Sequence, residues 1–517
     1  MKGMTMSTAQ AAATDDEQFD PLISTVAGTG APGPPQGGIE RAVSAQLNGP
    51  IGLVVDSAGT LYIADLYNHR VRKVTTDGKI STVAGTGVGG PGGDGSLAVS
   101  AQLQYPRAVA VDSAGDLYIA DAGNNRVRKI TWADGKINTV VGTGAAGTDP
   151  DGTLATAARL NYPSGVALDS AGDLYVADCN NHQVRKVTMT DRKIRTVAGT
   201  GAAGPGGDGS LAVSAQLRNP HGVAVDSAGD LYIADQNNHR VRKVTMTDGK
   251  ISTVAGTGAA TFGADGVPAT TAPLHSPMAV VVDSAGTLYI ADCNNHRVRK
   301  VTADKKISTV AGTGAATFGA DGVPAASAPL KHPYGLAVDC VDTLYIADLA
   351  NHRVRRVGSA RMVGLPDSGT VVSWANVRSK LRMGVAREST KDGAEVHQTL
   401  AVPRDHQQWR LIEAGHDNGD ILYRIENVRS GKVLEVAGAG TASGALVAQR
   451  AYDGNDAHHQ HWRLIPVGSV NGAPRVYEIA NRNSGLLLQV DTNARTVIRQ
   501  HGSQGDHRNR QWQLLPV

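Results

Sequence analysis

The chain has 517 residues, which is too long for one ordinary hydrophobic core and predicts two or more domains. Its formal net charge of only +3 gives no reason to expect nucleic acid or an anionic membrane as a partner. No segment reaches the roughly 18 consecutive apolar residues that span a bilayer. The chain has 62 glycines but only 3 phenylalanines, which favours many short strands joined by glycine turns.

Residues 1–20, "MKGMTMSTAQAAATDDEQFD", contain no apolar segment of the kind found in signal peptides, and we expect a disordered tail. A cytoplasmic location is therefore predicted, with export by a route that needs no signal peptide as the alternative. The three cysteines (Cys179, Cys293 and Cys340) are too few and too far apart in the repeats for a disulfide framework, so we expect free thiols.

A unit of about 57 residues is repeated six times between residues 21 and 358. The aspartate that ends the phrase "LYIAD" or "LYVAD" marks the phase, at Asp65, Asp121, Asp178, Asp235, Asp292 and Asp348. Turn signals divide each unit into four predicted strands, for example "GVAVD", "LYIAD", "RVRKV" and "ISTVAG". Four antiparallel strands repeated six times predict a six-bladed β-propeller.

The fourth strand of the unit is out of phase with the other three. A copy, "ISTVAG", occurs at residues 23–28 before any complete unit, while the last unit ends "HRVRRVGSARMVG" without one. A ring left open would have two unpaired sheet edges. We therefore expect the N-terminal strand to complete the sixth blade and close the propeller.

The repeated phrase "DSAGxLYIADxxNHRVRKV", followed by "TVAGTG…GDG", resembles the bacterial NHL-repeat family, whose domains are six-bladed propellers. The recurring Asp, Asn, His and Arg occur once per blade and so do not converge on one point. We expect them to cap turns and to join blades rather than to form a catalytic site. Some NHL propellers bind RNA, but the near-neutral charge gives that partner little support here.

The residues that follow the proline at the start of each innermost strand differ between repeats, and we expect them around one mouth of the central channel. They are Ile51, Arg107, Ser164, His221, Met278 and Tyr334. An alternative function is an enzyme, a lyase or hydrolase, with its site at this mouth, and the candidates are Arg107, His221, His275, His332 and Tyr334. Resemblance to NHL-like amidating lyases implies histidine-bound zinc there. The three histidines have different offsets from their prolines, however, so no metal and no cofactor are predicted.

The 57-residue period stops near residue 360, and tryptophan then recurs about every 50 residues. Trp409, Trp462 and Trp512 lie in "HQQWRLI", "HQHWRLI" and "NRQWQLL", each after a similar predicted strand and turn. These copies resemble the threefold Q-x-W repeats of ricin-B-like β-trefoil lectins over residues 362–517. We expect a linker at 359–370, a trefoil at 371–517, and the three tryptophans in its core.

The trefoil resemblance implies a sugar-binding set in each repeat: an acidic residue, a polar and an aromatic residue on the next strand, and a polar residue beside the Q-x-W glutamine. The middle copy supplies Glu435, Gln449, Tyr452, His459 and Gln460. The third copy supplies an incomplete set, Gln489, His501 and Asn509, and the first has Gly384 in place of the acid.

The sequence thus predicts an all-β protein, a six-bladed propeller followed by a β-trefoil. The favoured function is carbohydrate binding, with a glycan or polysaccharide on the trefoil and the propeller as a platform for a protein or small-molecule ligand. The alternatives are the enzyme at the channel mouth, tethered to glycan by the trefoil, and a scaffold whose trefoil binds no sugar.

Overall fold

The computed structural model describes residues 21–35, 38–76, 78–339, 343–358, 370–376, 379–401, 405–417, 420–443, 445–454, 458–470, 473–490, 498–501 and 511–516. The predicted tail (1–20), residues 359–369 of the predicted linker, Cys340 and Asn509 lie outside these ranges. Domain limits at 20, 358 and 370 therefore stay predictions.

The propeller has six sheets, or blades, of antiparallel strands, numbered here along the chain. Blades 1 and 2 comprise Pro50–Val55, Leu61–Asp65, Arg70–Val74 and Lys79–Ala84, then Pro106–Val111, Leu117–Asp121, Arg126–Thr131 and Lys136–Val141. Blades 3 and 4 comprise Pro163–Leu168, Leu174–Asp178, Gln183–Thr188 and Lys193–Ala198, then Pro220–Val225, Leu231–Asp235, Arg240–Thr245 and Lys250–Ala255. Blade 5 comprises Pro277–Val282, Leu288–Asp292, Arg297–Val301 and Ile307–Ala311, and blade 6 comprises Pro333–Val338, Leu344–Asp348, Arg353–Gly358 and Leu22–Ala27. Two-residue strands at Glu40–Arg41 and Val323–Pro324 extend blades 1 and 6.

Helical structure in the described residues is limited to three-residue 3₁₀ turns, none of which is long enough to cross a bilayer. These turns are Ala42–Ser44, Leu66–Asn68, Ala98–Ser100, Ala122–Asn124, Ala155–Ala157, Cys179–Asn181, Ala212–Ser214, Gln236–Asn238, Ala269–Thr271, Cys293–Asn295, Ala325–Ser327, Leu349–Asn351, Ala386–Glu388, Asp405–Gln407, Ala437–Ala439 and His458–Gln460.

The strand that closes the ring is Leu22–Ala27, called the closing strand below. It pairs antiparallel with Arg353–Gly358, with Ile23 opposite Val357. Ile23 is fully buried, as the equivalent isoleucine Ile251 is in blade 4. The predicted closure by an N-terminal strand is therefore confirmed, and each innermost strand contacts its two neighbours around the channel.

The recurring polar residues stabilise turns and join neighbouring blades. In blade 4, Asp235 accepts a hydrogen bond from the backbone N–H of Arg218 at 2.7 Å and another from the Asn238 side chain at 2.8 Å. His239 accepts one through Nδ1 from the N–H of Ser276 in blade 5, at 3.1 Å. Equivalent bonds recur around the ring, which confirms a structural use for these residues.

The C-terminal strands form a closed six-stranded barrel with three hairpins. The barrel strands are Val371–Asn376, Trp409–Asp417, Asp420–Asn427, Trp462–Val470, Ala473–Asn481 and Gln511–Pro516, each paired with the next and the last with the first. The hairpins are Arg382–Val385 with Ala394–Thr399, Val433–Val436 with Val447–Arg450, and Leu487–Val490 with Ile498–His501.

The Q-x-W tryptophans occupy equivalent places in the core of this barrel. Trp409, Trp462 and Trp512 are all fully buried. Each indole N–H donates to the second residue of a hairpin strand; Trp462, for example, donates to the carbonyl of Leu434 at 2.9 Å. Large aromatic side chains with their polar group satisfied make a stable core. This part of the chain thus has threefold symmetry. The hairpins carry residues that differ between the three repeats, such as Gly384, Glu435 and Gln489.

Candidate functional site

The middle trefoil repeat holds a buried carboxylate on its hairpin. Glu435 lies on the strand Val433–Val436, and its side chain is 1 % exposed. Its Oε1 accepts a hydrogen bond from Arg450 Nε at 2.8 Å. Its Oε2 has longer contacts, 3.4 Å to Gln460 Nε2 and 3.6 Å to His459 Nε2. Since a good hydrogen bond to oxygen is about 2.9 Å long, Oε2 keeps capacity to accept a closer donor.

Tyr452 lies two residues beyond the end of this hairpin, with its ring partly exposed. The Arg424 guanidinium lies over the ring, 4.6 Å from its centroid. The tyrosine hydroxyl is 3.0 Å from His461 Nε2. Burial and the nearby Arg482 lower the pKa of His461 to about 4, so this imidazole is uncharged at neutral pH.

Two glutamines of the expected sugar set are used by the fold instead. Gln449 is fully buried; its amide N–H donates to the carbonyl of Ser389 at 2.8 Å, and its oxygen accepts from Ser430 Oγ at 2.7 Å. Gln460 is also fully buried and donates to the carbonyl of Ala451 at 3.0 Å. We therefore assign both side chains to joining loops and repeats.

The other two repeats lack an equivalent carboxylate. At Gly384 an added Cβ would lie 2.9 Å from Gln407 Cγ, so neighbouring atoms fill the first-repeat position. Gln489 stands at this position in the third repeat, and its buried Oε1 has no hydrogen-bond partner among the described residues. His501 ends the strand Ile498–His501, and Asn509 lies outside the described residues.

The propeller channel holds a cavity of about 310 Å³, lined by five residues from each innermost strand. Because these six strands run in the same direction around the channel, the residues that follow the entry prolines share one end of it. The structure thus places the six variable residues around one channel mouth. Beyond them the walls are mainly Val, Ala and Leu, together with Gly.

Four side chains meet at that mouth, and we call Arg107, Tyr162, His221 and Tyr334 the channel-mouth cluster. Arg107 Nη1 donates to the Tyr162 hydroxyl at 2.9 Å. Arg107 Nη2 lies 2.9 Å from His221 Nε2 and also contacts the Tyr334 hydroxyl. The Tyr334 hydroxyl is 2.6 Å from His221 Nε2. Residues from blades 2, 3, 4 and 6 therefore converge on one point.

The environment of His221 keeps its imidazole neutral. Burial, followed by the charge of Arg107, holds the pKa of His221 well below its usual range, although a bond to the Met278 backbone opposes the shift. Because Nε2 faces the donors Arg107 and Tyr334, we assign the proton to Nδ1, which leaves the Nε2 lone pair to accept. Burial also raises the pKa of Tyr334, so its hydroxyl stays protonated and can donate.

His275 and His332 take part in contacts between blades rather than in the channel-mouth cluster. The His275 ring packs against His239, and the His332 ring packs against His296 with centroids 4.6 Å apart. No group of three or more His, Cys, Asp or Glu side chains in the described part of the chain could hold a metal ion. Cys179 and Cys293 are buried free thiols.

The sequence analysis did not single out Tyr162, because before the entry prolines it considered only histidines, His275 and His332. A signal was present, since Tyr162 and Tyr105 are the only tyrosines that directly precede these prolines. Tyr105 instead packs on His69, with centroids 4.8 Å apart. Tyr162 and Tyr105 differ in the direction of their side chains, which the sequence does not give.

Three family models match the chain. The ricin-type β-trefoil lectin domain-like model matches residues 363–450 and 405–500, and the Teneurin NHL domain model matches residues 265–358. The NHL repeat model matches residues 47–74, 103–130, 160–187 and 217–244.

Curated relatives are similar over about half of this chain. The SUPPRESSOR OF QUENCHING 1 protein of Arabidopsis thaliana is 29 % identical over 276 residues, 51 % of this chain and 26 % of its own length. NHL repeat-containing protein 2 of Homo sapiens is 28 % identical over 293 residues, which cover 51 % of this chain and 40 % of that protein. Teneurin-m of Drosophila melanogaster is 30 % identical over 278 residues, which cover 47 % of this chain and 10 % of that protein. The chain therefore spans well under half the length of each of these relatives.

Two solved structures are each similar to part of this chain. A protein of unknown function from Bacteroides thetaiotaomicron is 21 % identical, with a TM-score of 0.49 over 65 % of this chain and 75 % of that one. The designed threefold-symmetric protein ThreeFoil is 31 % identical, with a TM-score of 0.25 over 28 % of this chain and 99 % of that one. The family matches, together with the fold, support a carbohydrate-binding or interaction role. The chain combines an NHL-repeat, six-bladed β-propeller with a ricin-type β-trefoil lectin-like domain.

Proposed function

We propose that this protein binds glycans through the middle repeat of its trefoil, and that its propeller serves as a rigid platform for a second ligand. The observation that carries the proposal is Glu435, a buried carboxylate in one repeat of a threefold-symmetric domain. Gly384 and Gln489 hold the equivalent positions. A charge buried in only one repeat costs stability without serving the shared core, which favours a use in binding.

The surroundings of Glu435 suit a sugar hydroxyl. The carboxylate can accept two hydroxyl hydrogen bonds, and bonds to an ionised acceptor are stronger than neutral ones. Arg450 and His459, 45 % and 21 % exposed, cover it from the solvent side. In our proposal a sugar hydroxyl displaces His459 from Oε2, while Arg450 stays on Oε1 and the partly exposed Tyr452 packs against the apolar face of the ring.

The test is a glycan array probed with the parent protein and with Glu435→Gln. This substitution keeps the shape of the side chain and removes its charge, so we expect retention to be lost. One shallow monosaccharide site binds near millimolar, and losing a charge-assisted bond costs about 1–3 kcal/mol, enough to fall below detection. Tyr452→Ala should have the same effect through loss of the packing surface.

The matched control is Glu395→Gln, which makes the same chemical change at a carboxylate that is 46 % exposed in the first repeat. It should bind as the parent does, with an unchanged melting temperature. A parent protein that binds no glycan on a broad array, or a Glu435→Gln variant that binds normally, would refute the proposal and favour the scaffold alternative.

A second candidate function is catalysis at the channel mouth, favoured by the short contacts among Arg107, His221 and Tyr334. A neutral imidazole that accepts from a tyrosine hydroxyl can relay a proton through that hydroxyl, as a lyase or hydrolase requires. A screen of lactone, ester and uronate substrates with the parent and with His221→Ala tests it. Turnover that disappears in the variant would support this candidate.

A further inference from the structure

Arg107 is a cation at the channel mouth with no carboxylate partner among the described residues. Its Nη atoms contact only neutral groups, the hydroxyls of Tyr162 and Tyr334 and the Nε2 of His221. Its Nε is buried and has no hydrogen-bond partner in the described chain. The other channel-facing side chains are neutral as well. This charge attracts an anion strongly, because the guanidinium is partly buried and no carboxylate in the described part of the chain offsets it.

The loops around the same mouth are positive too. The four-residue entry segments are "NGPI", "QYPR", "NYPS", "RNPH", "HSPM" and "KHPY", from residues 48–51 to residues 331–334. They contain three cations, Arg107, Arg218 and Lys331, and no aspartate or glutamate. The aspartates that accept from the backbone of these segments, such as Asp235, are fully buried and paired with arginines such as Arg242. The side chains of the entry segments therefore add positive charge at the mouth, which raises the local concentration of anions.

A second donor lies beside Arg107. The Tyr162 hydroxyl accepts from Arg107 Nη1, and its own proton has no acceptor among the described residues. An anion that replaces the contacts of Arg107 with His221 and Tyr334 would thus receive bonds from a guanidinium and a hydroxyl together. Such a pair matches the geometry of a carboxylate, which accepts two parallel N–H bonds and a further O–H bond.

The channel behind the channel-mouth cluster indicates what the uncharged part of the ligand must be. Its walls are mainly valine, alanine and leucine, and its 310 Å³ lies at the small end of the range for ligand pockets. We propose that the propeller mouth binds a small organic monocarboxylate, with the carboxylate on Arg107 and Tyr162 and the apolar body in the channel. The apolar walls offer no donor to the further oxygens of a phosphate, which disfavours that anion.

The experiment is ligand-observed NMR on the full chain with benzoate and with its neutral analogue benzamide. The two probes differ in charge but hardly in shape. We expect saturation transfer to benzoate with millimolar affinity, and none to benzamide. Inorganic phosphate, added as a competitor at equal concentration, should leave the benzoate signal unchanged. The proposal would be overturned if benzoate and benzamide gave equal signals, or if phosphate abolished the benzoate signal. Neither measurement requires a variant protein.

Variants then locate the site. Arg107→Gln should weaken benzoate binding by about tenfold or more, since it removes the charge-assisted bonds. Lys250→Gln removes the same charge from an exposed position in blade 4 and should bind as the parent does. Normal benzoate binding by Arg107→Gln, or an equal loss in Lys250→Gln, would show that the anion binds elsewhere. This outcome is independent of the glycan array, because neither variant touches the trefoil.

Discussion

Truncating Ile23 tests whether the closing strand packs into the sixth blade as fully as an internal strand does. Ile23 is fully buried in the core formed with Leu336, Ile346 and Val357. Ile23→Ala removes three carbon atoms, about 2.4 kcal/mol at 0.8 kcal/mol per methylene, and the unfilled cavity brings the expected loss to about 2–5 kcal/mol. A repeat domain of this length has an unfolding entropy of roughly 0.7 kcal/mol/K, so its melting temperature should fall by about 3–7 °C.

The matched control is Ile251→Ala, which makes the same change at the equivalent, fully buried position of blade 4. Calorimetry of the full chain should give similar shifts for the two variants. Hydrogen exchange separates them, because only Ile23→Ala should speed exchange of the amides in Arg353–Gly358, which pair with the closing strand. If Ile23→Ala changes neither quantity while Ile251→Ala melts early, the closing strand does not hold the ring and the reasoning is refuted.

Three further predictions concern the core, the first trefoil repeat and pH. Trp462→Ala should destabilise the trefoil by about 3–5 kcal/mol in denaturant titration, whereas a binding residue would leave its stability unchanged. Gly384→Asp should lower the melting temperature and create no second sugar site on the array, because its Cβ meets Gln407. Burial raises the pKa of Asp235 to about 6, against bonds that lower it. The Asp235 carboxyl therefore holds its proton more tightly in the folded state than in the unfolded state. Protonated Asp235 stabilises the fold below pH 4, and this stabilisation is lost as pH rises from 4 to 6. Denaturation of Asp235→Asn across that range should show the variant gaining stability relative to the parent, and parallel curves would contradict this.

The fold could be predicted closely because the sequence pattern of each strand recurs six times in the propeller and three times in the trefoil. The misplaced copy of "ISTVAG" even showed which strand closes the ring. A residue that is repeated in every unit serves the fold, and this holds for one glutamine of the trefoil as well. Gln398 and Gln500 stand at the position of Gln449, and all three accept a hydrogen bond from a serine hydroxyl. The symmetry therefore indicated a structural role for Gln449.

The candidate sites were less predictable because they depend on where side chains point. The sequence placed Arg107, His221 and Tyr334 at one mouth, but the bonds among them depend on rotamers that no pattern reveals. His275 and His332 were candidates together with His221, yet their rings pack between blades. The pairing of Glu435 with Arg450 likewise depends on cross-strand geometry within one hairpin.

The closing strand also constrains when the propeller can complete its fold. Thr29, just beyond this strand, bonds to Arg353, which follows it by 324 residues. At a synthesis rate of about 5–20 residues per second, roughly 16–65 s pass before the ribosome has made the partner of the first strand. During that time the five complete blades can form from local hairpins, while Leu22–Ala27 stays an unpaired edge strand that is open to other chains. A nascent chain stalled before residue 353 should therefore be the species most prone to aggregate and the one that chaperones bind.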